Sequence, residues 1–300
     1  MLVPSYLKKG DAIGITCAAG FMDKQKAQLC IDTLQTWDYE VMVGKTLGSE
    51  STNYFSGTDE ERRDELQAML DDKHINAILF ARGGYGMGRI IDDLDFTKFK
   101  KNPKWLIGFS DITVMHAHLN SRLRIASLHA PMAAAFNKDE NEFILSLKNA
   151  LKGKKAKYTA SVNPLNKNGN AEGELIGGNL SLLAHLCGTC SEIETKKKIL
   201  FIEDIGEYIY NVDRMMYQLK RNGILKNLAG LIVGGFTDMK DTDRPFGKTA
   251  YEAIERVVDE YDYPVCFGFP VSHENENYAL KCGVTYSLKV GKNTVQLSER

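Results

Sequence analysis

The sequence predicts an α/β protein in two parts: a helix-covered parallel sheet, followed by a strand-rich α+β part with a mixed or antiparallel sheet. Three observations predict it. Apolar runs of strand length alternate with helical stretches through about the first 150 residues, and such alternation implies a parallel sheet covered on both faces. The texture then turns polar and rich in turn residues, with Lys-Gly-Lys-Lys at 152–155 and Asn-Pro-Leu-Asn-Lys-Asn-Gly-Asn at 163–170, as at a domain linker. The chain closes on short alternating runs. The expected division is therefore 1–150, a linker at 151–170, and 171–300.

In chain order, Ala12 to Cys17 reads as a buried strand. Asp23 to Trp37 reads as an amphipathic helix, with Ala27, Cys30, Ile31 and Leu34 on one face. Tyr39 to Val43 is a short second strand. Ser56 to Leu70 opens with the cap-like Ser56-Gly57-Thr58, continues with Glu60 and Glu61, and then runs helical. Ile75 to Ala81 is a third strand, Gly86 to Leu94 a helix, Trp105 to Gly108 a fourth strand and Ile112 to Leu119 a helix. In the second half, strands are expected at Ile199 to Glu203, Leu228 to Phe236 and Tyr263 to Phe267. Helices are expected at Val212 to Asn222 and Tyr251 to Glu260, and closing strands at Tyr278 to Cys282, Val284 to Val290 and Thr294 to Leu297. No fixed-period repeat or low-complexity tract interrupts this order.

Composition narrows the function. The 300 residues are 43% hydrophobic with a formal net charge of −1. That is ordinary for a chain with a real core, and it gives no electrostatic case for nucleic acid or a membrane surface as partner. No apolar run approaches the roughly 20 residues needed to cross a bilayer. Met1 to Asp11 carries Lys8, Lys9 and Asp11 without the apolar centre of a signal peptide. Six scattered cysteines fit a reducing compartment, so a cytoplasmic location is expected. Cys187-Gly188-Thr189-Cys190 is formally C-x-x-C. No second pair completes a zinc set, and Cys187 follows the apolar helical run Leu180 to Leu186, so two structural thiols near a helix end are expected. Neither a metal nor a cofactor is expected.

In parallel α/β sheets ligands collect at the carboxyl ends of strands, and two such ends stand out. One is Arg82-Gly83-Gly84-Tyr85-Gly86-Met87-Gly88 and the other Gly108-Phe109-Ser110-Asp111. A serine on a tight strand-to-helix turn is pushed out over the sheet edge, near free N–H groups and the positive helix end. That arrangement suits a nucleophile with an oxyanion hole. The spelling departs from G-x-S-x-G, since Ile112 replaces the second glycine, and locally a helix cap at Ser110 is the simpler reading. The glycine run is G-x-G-x-G rather than the dinucleotide fingerprint G-x-G-x-x-G, and the next strand does not end in an acid. Its glycines still permit close backbone approach to a substrate and free N–H groups for an oxyanion.

A nucleophilic serine needs a base and a group to orient that base. Among the histidines, His74 follows a charged helix end and reads as solvated. His116 and His118 lie on the helix after Ser110 and point away from its first turn, and His185 reads as a core histidine. His129, before Ala130-Pro131, stays open. His273 lies in the polar loop Val271-Ser272-His273-Glu274-Asn275-Glu276-Asn277, and such loops carry function disproportionately. For the carboxylate, Leu200-Phe201-Ile202-Glu203-Asp204-Ile205-Gly206-Glu207 ends a buried strand in acids, which are either functional or ion-paired.

These segments resemble the LD-carboxypeptidase family of serine peptidases, which includes the microcin self-immunity proteins. The matching pieces are Arg82-Gly83-Gly84-Tyr85-Gly86, Gly108-Phe109-Ser110-Asp111, Gly177-Gly178-Asn179-Leu180, Phe201-Ile202-Glu203-Asp204 and the His273-Glu274 loop. They recur in the family's order and span most of the chain. One departure is Cys17-Ala18-Ala19-Gly20, where many members carry a Pro-Ser type turn. The resemblance implies a flavodoxin-like N-terminal domain carrying the nucleophile and a smaller β-rich α+β C-terminal domain. It implies a triad of Ser110 as nucleophile, His273 as base and Glu203 as orienter, with oxyanion donors from the backbone N–H groups of Gly84 and Asp111. Substrate contacts are expected at Arg82, Gly83 and Asn179, with Arg82 offering a cation to a terminal carboxylate. The implied reaction removes a terminal D-amino acid from an L-centre in a cytoplasmic muropeptide, commonly by a homodimer. Two alternatives remain: a microcin-type acyl-peptide carboxypeptidase with the same triad, and a non-catalytic two-domain ligand binder.

Overall fold

In the computed structural model, residues 1–137 and 141–300 are described. The first part runs β1 (Ala12–Thr16), α1 (Gln28–Thr36), β2 (Glu40–Val43), α2 (Asp59–Asp71), β3 (Ile75–Phe80), α3 (Met87–Ile90), α4 (Thr97–Lys101), β4 (Trp105–Gly108), α5 (Thr113–His118), β5 (Ser127–His129) and α6 (Glu142–Leu151). The second runs β6 (Lys157–Ala160), β7 (Gly169–Asn179), α7 (Leu180–His185), β8 (Ile199–Ile205), α8 (Ile209–Arg221), β9 (Gly230–Thr237), α9 (Ala250–Val258), β10 (Val265–Phe267), β11 (Leu280–Cys282), β12 (Thr285–Val290) and β13 (Val295–Glu299).

Two sheets result. The first has the order β11-β5-β4-β3-β1-β2. Its pairs are parallel except β11 with β5, which run antiparallel. The stretch 2-1-3-4-5 is the flavodoxin-like order, whose switch point lies between β1 and β3. The second sheet, β10-β9-β8-β7-β12-β13-β6, is parallel from β10 to β7 and antiparallel from β7 to β6. It is the mixed sheet expected of the second half. Runs such as Ala12–Thr16 and Trp105–Gly108 are buried at every residue because both faces are covered.

The differences from expectation have local causes. Ser127–His129 is too short to show a period, and α6, absent from the expected elements, is set by an Asn141 cap accepting from Phe143 N and Ile144 N and by the buried face Ile144, Leu147, Ala150 and Leu151. Within the polar 151–170 stretch, Lys157–Ala160 forms an edge strand on β13, and an edge tolerates charged residues that a central strand would not. The helix expected from Gly86 to Leu94 is one short α-turn followed by a 3₁₀ turn.

The carboxyl ends of the two parallel regions face each other. Gly177 and Gly178, at the end of β7, have φ of +146° and +145°. A Cβ on Gly178 would overlap Thr113 Oγ1 and lie 2.7 Å from its Cγ2, and one on Gly177 would overlap the Phe201 carbonyl oxygen. Thr113 Oγ1 also accepts from Asn179 N at 3.0 Å. One buried apolar cluster runs through this junction, joining Val114 and Met115 of α5 to Ile176 and Ile202 of the second sheet and Leu180 of α7. We expect Gly178→Ala to lower stability by roughly 2–5 kcal/mol, the sum of a disallowed φ and overpacking. A wild-type midpoint in urea unfolding would contradict this closeness.

Candidate active site

The site is built where β4, β8 and the loop after β10 end. β4 hands over at Gly108-Phe109 to a 3₁₀ turn, Ser110–Ile112, that leads into α5. Ser110 has φ +62°, in the left-handed region, where a residue with a Cβ is held only by its surroundings, at a cost of order 1–3 kcal/mol. Its hydroxyl caps neither the turn nor α5, since the N-caps of both lack a side-chain hydrogen bond. The serine is instead half-buried at the wall of a cavity of about 510 Å³.

Three groups hold the turn in place. His116, one turn into α5, is fully buried and held near a pKa of about 4 by that burial, so it is neutral. Its Nε2–H donates to the Gly108 carbonyl at 2.8 Å, and its Nδ1 accepts from Ser127 Oγ at 2.8 Å. The imidazole thus braces the residue where β4 ends, rather than pointing away as its place in the sequence suggested. Asp111 Oδ2 accepts from Met87 N at 2.7 Å, tying the turn to the glycine loop after β3. Burial pushes its carboxyl up to about 6. Arg62, a fully buried residue of α2, donates Nη1 to the carbonyls of Ala18 at 2.6 Å and Gly86 at 3.3 Å. It pairs with Asp59 through Nη2. Sequence reasoning missed Arg62; the signal was an arginine one turn from Leu66, on the helix face that packs inward.

The glycine loop comes close enough to Ser110 to exclude side chains. A Cβ on Gly83 would stand 2.9 Å from Ser110 Cβ, 3.1 Å from Ser110 Oγ and 3.2 Å from Asp111 N. Gly83 O also accepts from Gly20 N at 3.0 Å, joining the loops after β1 and β3 at the switch point. The loop thus brings the residues from Gly83 to Gly84 alongside the Ser110–Ile112 turn and its N–H groups.

From the other sheet, Glu203 lies in the buried part of β8 with no exposed surface. Its Oε2 accepts from His273 Nδ1 at 2.5 Å. That bond assigns the His273 proton to Nδ1 and leaves the Nε2 lone pair free. Burial pulls the His273 pKa down, but the charge and hydrogen bond of Glu203, with Asp204 behind, outweigh it and hold the imidazolium above its ordinary 6.5. The His273 ring stands edge-on to Phe109, 5.0 Å between centroids, so the residue before Ser110 touches the imidazole.

Asp204 points the opposite way, as successive strand residues must. Its Oδ1 accepts from Asn179 Nδ2 at 2.8 Å and Ile205 N at 2.9 Å, and its Oδ2 from Ser181 N at 3.0 Å. Burial, then the adjacent Glu203 charge, pushes it up to about 7. Asn179 Oδ1 caps α7 by accepting from Leu182 N at 3.2 Å. The Asn179 side chain is therefore committed to the frame behind Glu203 and does not line the cavity.

The cavity brings together Arg82, Gly83, Gly84, Ser110 and His273. Apolar wall comes from Met132, Ala135, Ile144 and Ile205, and polar wall from Glu274, Asn275 and Asn277. Arg82 is the one arginine or lysine among the described lining residues, and its Nη1 donates to Phe21 O at 2.6 Å. A second cavity of about 600 Å³ lies between β2 and α2; its Glu65 is occupied by Thr16 and Thr46, and no serine–histidine pair lines it. His129 is fully buried beneath the site, edge-on to Phe201 at 4.9 Å, and burial holds it well below 6.5. His185 is exposed rather than in the core, and His74 is exposed as expected.

The family pattern described as LD-carboxypeptidase N-terminal domain matches residues 13–130, and that of the LD-carboxypeptidase C-terminal domain matches 172–288. A Bacillus subtilis protein named probable murein peptide carboxypeptidase is 34% identical over 296 residues, 97% of this chain and 92% of its own. The murein tetrapeptide carboxypeptidase of Pseudomonas aeruginosa is 30% identical over 256 residues, 79% of this chain and 80% of its own. The crystal structure of muramoyltetrapeptide carboxypeptidase from Oxalobacter formigenes superimposes with a TM-score of 0.86 at 30% identity, covering 96% of this chain and 98% of that one.

In NMR titration the His273 ring should change charge above pH 6.5, and Glu203→Gln should bring that midpoint below 6.5. With the carboxylate gone, burial is left as the dominant influence. A midpoint that Glu203→Gln leaves in place would show that the pair does not control the ring.

Proposed function

The chain belongs to the LD-carboxypeptidase family and is a serine-type carboxypeptidase, and on that premise we propose that Ser110, His273 and Glu203 are its catalytic triad. The observation that carries the assignment is the Glu203–His273 pair opening onto the same cavity as a serine held at φ +62°. His273 Nε2 takes the Ser110 proton as Oγ attacks the scissile carbonyl. The backbone N–H groups of Gly84 and Asp111 receive the oxyanion. The proton then passes from Nε2 to the leaving amine, and water hydrolyses the acyl-enzyme by the same route. Glu203 fixes the ring tautomer and stabilises the imidazolium.

The proposed substrate is a cytoplasmic murein tetrapeptide, cleaved between its L-centre and the terminal D-alanine in murein recycling. The names of the relatives that are 34% and 30% identical support this substrate class. Arg82 faces the terminal carboxylate and Gly83 leaves room for the leaving residue beside Ser110. Asn179 serves the substrate through the frame that holds Glu203. The division at 151–170 and a homodimer belong to the same proposal. Mass spectrometry of purified murein tetrapeptide after incubation should show tripeptide and free D-alanine. Turnover of other acyl-peptides with no tripeptide formed would move the substrate to the microcin-type class.

Five substitutions test the roles. Ser110→Ala should remove activity by several orders of magnitude while the fold persists; a variant keeping more than about a tenth of wild-type turnover would exclude Ser110 as nucleophile. Gly83→Ala should cost activity more than stability, because its Cβ would press on Ser110 Oγ and Asp111 N. Adding Glu203→Gln to His273→Ala should change little, since residues acting as a unit are strongly non-additive. Losses that multiply would break the triad, and a Glu207→Gln variant, whose carboxylate accepts from Asn211 Nδ2, should stay active.

A further inference from the structure

At the carboxyl-terminal end of α5, three side chains with metal-ligating atoms converge from distant parts of the sequence. They are Asp92, in the 3₁₀ turn after α3, His118, at the end of α5, and Cys190, in the loop after α7. Their ligand atoms all lie within 4.8 Å of one another. We propose that Asp92, His118 and Cys190 form a binding site for a divalent transition metal of the zinc class, outside the catalytic cavity.

The geometry is close to what such an ion requires. Bonds of about 2.3 Å to sulfur and about 2.0 Å to a carboxylate oxygen, at a tetrahedral angle, place the two ligand atoms about 3.5 Å apart. Cys190 Sγ and Asp92 Oδ1 are 3.5 Å apart. The His118 ring is already oriented: its Nδ1 is 2.9 Å from Ser191 Oγ, and its face stacks on Phe96 at 5.3 Å with 28° between planes. Outer partners of metal-ligating histidines perform this same service.

One nitrogen, one oxygen and one sulfur is a donor set that suits zinc better than magnesium or calcium. The three ligands adjoin a cavity of about 330 Å³, room for a water in a fourth position. Lys100 and Arg122 also line it. Their charge is offset when Cys190 binds as thiolate beside the Asp92 carboxylate, the thiol proton passing to solvent, so affinity rises with pH. The other cysteine of the C-x-x-C is excluded: Cys187 Sγ is directed at the Leu183 carbonyl, 3.6 Å away in its own helix. Because Cys190 follows β7 and α7 while Asp92 and His118 belong to the first part, the ion would tie the two parts together.

Titration of the full-length protein with Co²⁺ tests the site without reference to peptide cleavage. We expect a saturable thiolate-to-cobalt charge-transfer band with tetrahedral ligand-field bands, displaced by Zn²⁺. The band should be lost in Cys190→Ser, an exposed position whose folding circular dichroism can check, and in His118→Gln. Cys187→Ser should retain it, and Ser191→Ala should weaken Co²⁺ binding about 10- to 100-fold. Absence of the band in the wild type, its persistence in folded Cys190→Ser, or its loss in Cys187→Ser would overturn the site. Each result leaves the triad assignment untouched, because the readout is spectroscopic.

Discussion

Gly178 lies so tightly against Thr113 that no side chain fits between them, and the peptide after it donates to the same threonine. This is the point at which the carboxyl edge of one sheet presses on the helix that leaves the other. Ser110 precedes that helix by three residues, and Glu203 pairs in register with Asn179, the residue after Gly178. The offset between Ser110 and Glu203 is therefore fixed by backbone packing. α5 and α7 share one apolar cluster with β7 and β8, so a shift of either sheet would have to repack that cluster. Close-packed interiors resist such shifts.

Several charges are buried around this joint, each with a partner that limits the cost of leaving water. Glu203 faces His273, while its neighbour Asp204 faces the N-terminal turn of α7. The two carboxyls share a strand but not a side, and burial first, then the adjacent Glu203 charge, pushes Asp204 up to about 7. Arg62 spans the loops after β1 and β3 from inside, and Asp111 reaches back to the glycine loop. Removing one partner of such a buried pair typically costs about 3–5 kcal/mol. The expenditure is concentrated on loops at strand ends, where no regular ladder would otherwise set their positions.

Much of this was legible in the sequence, for identifiable reasons. Ala12–Thr16 and Trp105–Gly108 are short, mostly apolar runs because both faces of a parallel sheet are covered, and the Gly-Phe-Ser-Asp turn announced a residue presented at a sheet edge. His273 was legible as a loop histidine, and Glu203 became more than one acid among several through the resemblance to a family. What was hidden depended on three-dimensional neighbours. Spacing alone assigned His116 away from the turn, yet its ring reaches the Gly108 carbonyl. His185 followed an apolar run and turned out exposed, because α7 ends there. Arg62 looked like one charge in an acidic helix, and the closing of β11 onto β5 joins residues more than a hundred positions apart. The Asp92–His118–Cys190 cluster has no spacing signature at all.

The central claim is that Ser110 is the activated nucleophile of a unit completed across two sheets. A fluorophosphonate probe reports directly on such a serine, since it reacts with the activated hydroxyl, and peptide mapping by mass spectrometry locates the adduct. The account predicts one adduct per native chain, on the peptide bearing Ser110, and none after heat denaturation or in His273→Ala. An adduct on a different serine, or equal labelling of Ser110 with and without His273, would contradict it.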